Sequence, residues 1–85
     1  QLILRRFFIM KTVQISLNSI DKVKSFVNAI TQYEYDFDLI SGRYVIDAKS
    51  IMGIFSLDLS KPIDLAIHAE ANVDEIMETL KPYLI

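Results

Sequence analysis

The side chains that could do chemistry are few, and the search for them starts with the one histidine. His68 is the sole histidine of the 85 residues and cysteine is absent, so neither a Cys/His zinc site nor a disulfide framework can be assembled. The acidic residues lack the spacing of a calcium loop, and the sequence contains no glycine-rich phosphate loop, Ser-His-Asp set or paired-carboxylate arrangement. The sequence therefore predicts a protein that is not an enzyme and that carries no cofactor and no metal.

His68 itself belongs to a segment in which apolar and polar residues alternate. Ile67 and Ala69 take the core-facing positions, so His68 shares the open face of a strand with Asp64 and Ala66. We interpret it as an ordinary surface histidine and not as a catalytic or metal-binding residue.

The most informative hydroxyl groups belong to serines that precede apolar segments. Ser19 stands before Ile20 and Ser50 before Ile51, the position from which a serine side chain caps a helix. Such a hydroxyl lies beside free backbone N–H groups and the positive end of the helix dipole, where a phosphate is tolerated or stabilised. We interpret Ser19 as a plain cap, whereas the residues leave open whether Ser50 is only a cap or also a phosphorylation site.

Composition limits the size and the surroundings of the protein. A chain of 85 residues with 52% hydrophobic and 24% charged residues can build one core but not a second domain. Its net charge of −2 comes without a basic run, which argues against direct binding of nucleic acid, and no apolar stretch approaches the roughly 20 residues of a membrane span. The absence of cysteine favours a reducing, cytoplasmic location.

The first nine residues are unlike the rest. Arg5 and Arg6 stand in the middle of an apolar segment that starts without Met, which is the wrong order for a secretory signal. We interpret residues 1–9 as an upstream extension and residues 10–85 as the domain, which is distinctly acidic without those arginines. An added edge strand and a membrane-surface anchor are the alternatives for the extension.

Two periodicities alternate along residues 10–85. Alternation of apolar and polar residues predicts strands over 12–17, 35–39, 43–47 and 63–69, with Ser41-Gly42 supplying a hairpin turn. Helical spacing predicts a helix from Ile20 to near Gln32, a short helix within 49–57, and a last helix that Pro82 stops. We expect Ile20 to join the buried stripe of the first helix and Asn72 to begin a capping box for the last.

The predicted order is β-α-β-β-α-β-α. One-sided strands and amphipathic helices of this kind form a two-layer α+β domain. A ferredoxin-like module is equally compatible with the pattern.

One segment resembles a known family. Lys49-Ser50-Ile51-Met52-Gly53, followed by Ile54, Phe55, Ser56, Leu57 and Leu59, resembles the regulatory-serine segment of HPr, the histidine phosphocarrier of the bacterial phosphoenolpyruvate-dependent sugar phosphotransferase system. The element order agrees with that family over residues 10–85. The resemblance implies an HPr-like open-faced β-sandwich, in which a four-stranded antiparallel sheet carries three helices on one face.

The chain departs from the family at the start of the first helix. HPr proteins carry their phosphoryl group there on a histidine within a Gly-x-His-x-Arg-Pro-like sequence, whereas this chain has Ser19 in the place of the histidine and Asp21 in the place of the arginine. An acidic group beside an incoming phosphate repels it. The sequence therefore looks like a histidine-deficient HPr-like protein of the catabolite-repression type, which does not relay phosphate.

What the resemblance implies about function centres on Ser50. In the family the equivalent serine is phosphorylated by an ATP-dependent HPr kinase/phosphorylase, and the modified protein acts with a LacI-type catabolite regulator. Ile51, Met52 and Phe55 match the family's partner-binding positions, and a one-turn helix has too many apolar residues here to bury them all. Two alternatives remain: an interaction module that works without phosphorylation, and a ferredoxin-like domain that binds a small ligand.

Overall fold

The computed structural model describes residues 9–85, so the upstream extension predicted for residues 1–9 lies, apart from Ile9, outside the described residues. The elements are β1 (Ile9–Ile15), α1 (Ile20–Thr31), β2 (Asp36–Ser41), β3 (Tyr44–Asp47), α2 (Ile51–Phe55), β4 (Ile63–Ala69) and α3 (Val73–Leu80), followed by a 3-10 turn at Lys81–Tyr83. No helix within these residues is long and apolar enough to cross a membrane.

The strands form one sheet in the order β1-β4-β2-β3, and every pairing is antiparallel. Leu65 in the central strand β4 lies opposite Val13 on one side and Leu39 on the other, so the predicted alternation places apolar side chains in one row across the sheet. Leu39 and Leu65 are fully buried. The core therefore lies on this face of the sheet.

The helices cover that face with their apolar stripes. The buried residues of the helices are Val23, Phe26, Val27 and Ile30 of α1, Ile54 of α2, and Ile76 and Leu80 of α3. Tyr83, in the 3-10 turn, packs against α1. Its ring lies edge-on to Phe26 at a centroid distance of 5.5 Å, and its hydroxyl lies 2.7 Å from Ser25 Oγ. The other face of the sheet stays open.

The hairpin between β2 and β3 turns one residue later than the sequence predicted. Ser41 is the last residue of β2, and the loop consists of Gly42 and Arg43. Gly42 has φ of 61°, the positive value that a two-residue hairpin loop requires at its first position and that glycine adopts without a steric cost.

Two sequence expectations about helix ends are wrong. Ile20 does not belong to the buried stripe of α1, because it is 61% exposed at the first position of the helix. Asn72 precedes α3 in the left-handed conformation with φ of 61° and makes no side-chain cap. Its amide instead lies 3.4 Å from the Tyr35 hydroxyl, so the capping box does not form.

Candidate functional site

Ser50 begins the short helix α2 and caps it with its side chain. Its backbone is extended, with φ of −98°, and its Oγ accepts a hydrogen bond from the N–H of Gly53 at 3.1 Å. The Ser50 carbonyl accepts from the N–H of Ile54 at 3.0 Å. The residue is partly exposed, and its hydroxyl is ordered by the cap.

The residues before Ser50 hold it in place. The Lys49 ammonium donates to the Tyr33 carbonyl at 2.7 Å and lies 5.6 Å from the centre of the Phe37 ring, so its charge is directed inward and not toward the serine's outer side. The backbone N–H of Lys49 bonds to Asp47 Oδ1, and that of Ser50 bonds to the Asp47 carbonyl. The loop that leads into Ser50 is therefore held by hydrogen bonds to Tyr33 and within itself to Asp47.

The outward side of α2 is apolar. Met52 is 83% exposed, Phe55 43% and Ile51 38%, whereas Ile54 is fully buried. The helix therefore has one residue, Ile54, that anchors it in the core and three residues on the surface. We call Ile51, Met52 and Phe55 the α2 patch.

The α2 patch continues into a groove that the sequence did not predict. The groove has a volume of about 610 Å³ and is lined by Asn18, Ser19, Ile20, Phe55, Leu59 and Ser60. It joins the start of α1 to the end of α2, and its floor is largely apolar. The helical spacing of Ile20 predicted a buried residue, and this was wrong for a simple reason. The spacing gives the direction of a side chain around the helix axis, but it does not show whether the end of the helix extends past the core.

Ser19 lies at the edge of this groove and caps α1. Its Oγ accepts a hydrogen bond from the N–H of Lys22 at 3.1 Å, with an extended backbone at φ of −151°. Asp21 is the acidic residue in the first turn of the helix. The predicted cap is therefore present, and Ser19 and Ser50 make the same capping hydrogen bond, each at 3.1 Å, at two different helices.

A loop beside the groove carries an ordered carboxylate. Asp58 accepts hydrogen bonds from the Ser60 hydroxyl at 2.6 Å and from the Ser60 N–H at 3.1 Å. The pKa of Asp58 is lowered most by the hydrogen bond from the Ser60 side chain, then by the one from the Ser60 backbone, and least by the nearby Lys61. Slight desolvation opposes this shift. The loop therefore keeps its negative charge next to the groove.

His68 lies on the open face of the sheet, as its place in the alternation predicted. Its Nε2 is 2.9 Å from Asp38 Oδ2, and about a third of each side chain is exposed. No local pattern predicts this pair, since 30 residues separate its members and the register of β2 and β4 brings them together. Within residues 9–85 no group of three histidine or acidic side chains is arranged to hold a metal.

Comparisons with known proteins agree with this geometry. The phosphocarrier protein HPr from Bacillus anthracis is similar with a TM-score of 0.67 and 26% sequence identity, over 92% of this chain and 98% of that one. HPr-C-His from Thermoanaerobacter tengcongensis is similar with a TM-score of 0.68 and 22% identity, over 87% and 88% of the two chains, and at this identity the likeness concerns the fold alone. No protein-family model matches the chain, and no curated protein shows significant sequence similarity to it.

The fold is therefore the HPr-like open-faced sandwich that the Ser50 segment implied. The same match and the sheet order β1-β4-β2-β3 exclude the ferredoxin-like arrangement. The fold is shared with phosphocarrier proteins, which suggests a phosphocarrier-like function. The roles of Ser50 and of the α2 patch are predictions that the likeness does not test.

Proposed function

We propose that this protein is a histidine-deficient, HPr-like regulator of the sugar phosphotransferase system, controlled by phosphorylation of Ser50. The observation that carries the proposal is the position of Ser50. Its hydroxyl is ordered by the cap on Gly53, and the residue is partly exposed and adjacent to the three surface residues of the α2 patch. A phosphate of about −2 charge added there changes the surface that a partner meets without entering the core.

The proposed partners are an ATP-dependent HPr kinase/phosphorylase and a LacI-type catabolite regulator. Both would dock on Ile51, Met52 and Phe55, since an exposed apolar patch on a soluble protein marks a site of interaction. The protein would then take part in carbon catabolite regulation and would not pass phosphate to a sugar transporter.

The start of α1 supports the loss of the relay. By the resemblance to the family, Ser19 takes the place of the phosphorylated histidine. It is engaged as a cap and has Asp21 in the same turn. A serine ester lacks the high-energy N–P bond from which a relay passes phosphate on, and the carboxylate repels the incoming group. Incubation with phosphoenolpyruvate and the phosphotransferase enzyme I should leave the protein unlabelled. Acid-labile phosphate on it would show that the relay persists.

The decisive experiment is phosphorylation by HPr kinase and ATP, followed by intact-mass and peptide analysis. We expect one phosphate on the wild-type protein and none on Ser50→Ala. Ser19→Ala is the matched control because it removes a cap of the same 3.1 Å geometry from the other helix, and it should be phosphorylated like the wild type. If an authentic HPr is labelled and this protein is not, the proposal fails.

A second candidate function needs no phosphate. The groove between Ile20 and Phe55 is open in the unmodified chain, so the protein could occupy the HPr-binding surface of a partner as a competitor. Binding of a partner that is equally strong for the wild type, for Ser50→Ala and for the phosphorylated protein would favour this interaction module over the regulated one.

A further inference from the structure

Three methionines hold all the sulfur of this chain, because cysteine is absent. Peroxides convert a methionine thioether to a sulfoxide, and the change is reversible because methionine sulfoxide reductases restore the thioether. An oxidant must reach the sulfur to react with it, so the exposure of each side chain decides which methionine responds.

Met52 is the most exposed of the three. It is 83% exposed, against 61% for Met10, and Met77 is partly buried against the core. Met10 lies opposite His68 in the pairing of β1 and β4, so it belongs to the open face of the sheet, away from α2. Of the three methionines, Met52 therefore combines ready access for an oxidant with a place in the α2 patch.

The fold depends little on the Met52 side chain. The helix α2 is anchored in the core by Ile54, which is fully buried, while most of Met52 lies in solvent. Substitutions at exposed positions usually change stability only slightly. A chemical change at the Met52 sulfur therefore alters the surface and leaves the domain folded.

The chemical character of this surface is what oxidation changes. Residues three apart on a helix are neighbours, so Met52 adjoins Phe55 within the α2 patch, and Ser50 is two residues earlier in the chain. Oxidation turns a flexible apolar side chain into a polar one. A polar group that a partner buries without a hydrogen bond costs binding free energy, so the sulfoxide opposes docking on the patch.

We propose that Met52 is a redox-sensitive modification site: a peroxide oxidises it to methionine sulfoxide, which closes the α2 patch to its partners, and reduction reopens the patch. This role rests on the proposed function, in which the α2 patch is the docking surface. It adds a second control, by oxidants, at the surface that phosphorylation of Ser50 modifies.

The oxidation needs only the thioether and hydrogen peroxide. The Met52 sulfur uses a lone pair to form a bond to one peroxide oxygen while the O–O bond breaks. The sulfur loses two electrons, the peroxide gains them, and the second oxygen leaves as water with both protons. In the reverse direction a methionine sulfoxide reductase takes two electrons and two protons from a dithiol, which becomes a disulfide, and releases the oxygen as water.

The test measures binding of HPr kinase to the full chain by calorimetric titration, before and after treatment with hydrogen peroxide. Peptide mass analysis follows the uptake of oxygen at each methionine. We expect Met52 to be oxidised several-fold faster than Met77 and the affinity to fall about tenfold. Oxidation of Met52 that is no faster than that of Met77, or an oxidised protein that binds as tightly as the reduced one, would overturn the role of Met52.

Leucine variants assign the effect to one sulfur. Met10→Leu/Met77→Leu leaves Met52 as the one thioether, so oxidation should still weaken its binding about tenfold and shift its melting temperature by less than about 4 °C. Treatment with the reductase should restore its affinity. Met52→Leu has no thioether in the patch, so its affinity should be the same before and after peroxide. An equal loss in oxidised Met52→Leu, or binding that stays weak after the reductase has removed the oxygen, would refute the switch.

Met52→Gln imitates the polarity of the sulfoxide without any oxidant. It should bind HPr kinase about tenfold more weakly than the reduced wild type, and undiminished affinity would count against the switch. The outcomes also separate this role from the function on which it rests. A reduced wild type that neither binds the kinase nor is phosphorylated by it overturns both, whereas a reduced wild type that binds, with the same affinity after oxidation of Met52, overturns the redox role alone.

Discussion

Neighbouring residues of α2 provide the sharpest test of how this helix divides between core and surface. Ile54 is fully buried, whereas 43% of Phe55 is exposed. Replacing a buried isoleucine by alanine costs about 2–5 kcal/mol because a cavity is left behind. Phe55→Ala loses only part of the roughly 1.5–3 kcal/mol of a fully buried side chain and leaves no enclosed cavity, so we expect about 1 kcal/mol although the larger side chain is removed.

The difference is measurable by urea and thermal unfolding followed by circular dichroism. One kcal/mol corresponds to about 4–8 °C in melting temperature for a domain of this size. We therefore expect Ile54→Ala to lower the melting temperature by at least about 8 °C and Phe55→Ala by about 4–8 °C. A larger loss for Phe55→Ala than for Ile54→Ala would refute our assignment of Phe55 to the surface.

Partner binding should be weakened more by Phe55→Ala than by Ile54→Ala when both variants are compared in the folded state. At a temperature where both variants are folded, Phe55→Ala should weaken binding of HPr kinase at least about tenfold, as truncation of an interface anchor does. Calorimetric titration measures this. Val45→Ala is the control, since Val45 is 62% exposed but lies opposite Ile40, on the open face of the sheet. Equal loss of affinity for Val45→Ala and Phe55→Ala would contradict the α2 patch as the docking surface.

Three further predictions concern the scaffold around the site. Ser60→Ala should raise the pKa of Asp58 toward its ordinary value in an NMR titration. Because the folded pKa is lowered, the associated stability is present above the unfolded value of 3.8 and is lost as the pH falls through the folded pKa. An unchanged pKa would show that the Ser60 side chain does not lower it. Tyr83→Phe keeps the aromatic contact but removes the hydroxyl 2.7 Å from Ser25, which should cost about 1 kcal/mol in urea unfolding; no loss would mean that water replaces the bond. Gly42→Ala places a side chain at φ of 61° and should cost about 1 kcal/mol or more through strain, whereas a gain in melting temperature would show that the turn relaxes.

Local features of the sequence predicted the fold well. The alternation over 63–69 predicted β4 with the bounds that the structure has, because a strand with one buried face repeats every two residues whatever its partners are. The caps of Ser19 and Ser50 were also accessible, since each bond spans only three residues. The Ser50 segment then selected the HPr-like arrangement, which the periodicity alone left open.

Features that depend on distant contacts were not predictable. The groove between Ile20 and Phe55 exists because α1 and α2 come together in the fold, and the pair of His68 and Asp38 depends on strand register. The failed cap at Asn72 has the same origin. The pattern of residue types fits a capping box, but the backbone arrives in the left-handed conformation and the amide lies beside Tyr35 instead.

The surroundings of the two capping serines differ in a way that fits the proposed phosphorylation of Ser50 and not of Ser19. Ser19 and Ser50 accept the same hydrogen bond at the same distance, so capping geometry does not distinguish them. Their surroundings do: Asp21 stands in the first turn of α1, while the first turn of α2 has no acidic residue. A phosphate on Ser19 would meet like charge. A phosphate on Ser50 would adjoin the apolar α2 patch, and the acidic group on that side is Asp47, whose carboxylate accepts a hydrogen bond from the Lys49 N–H on the preceding loop.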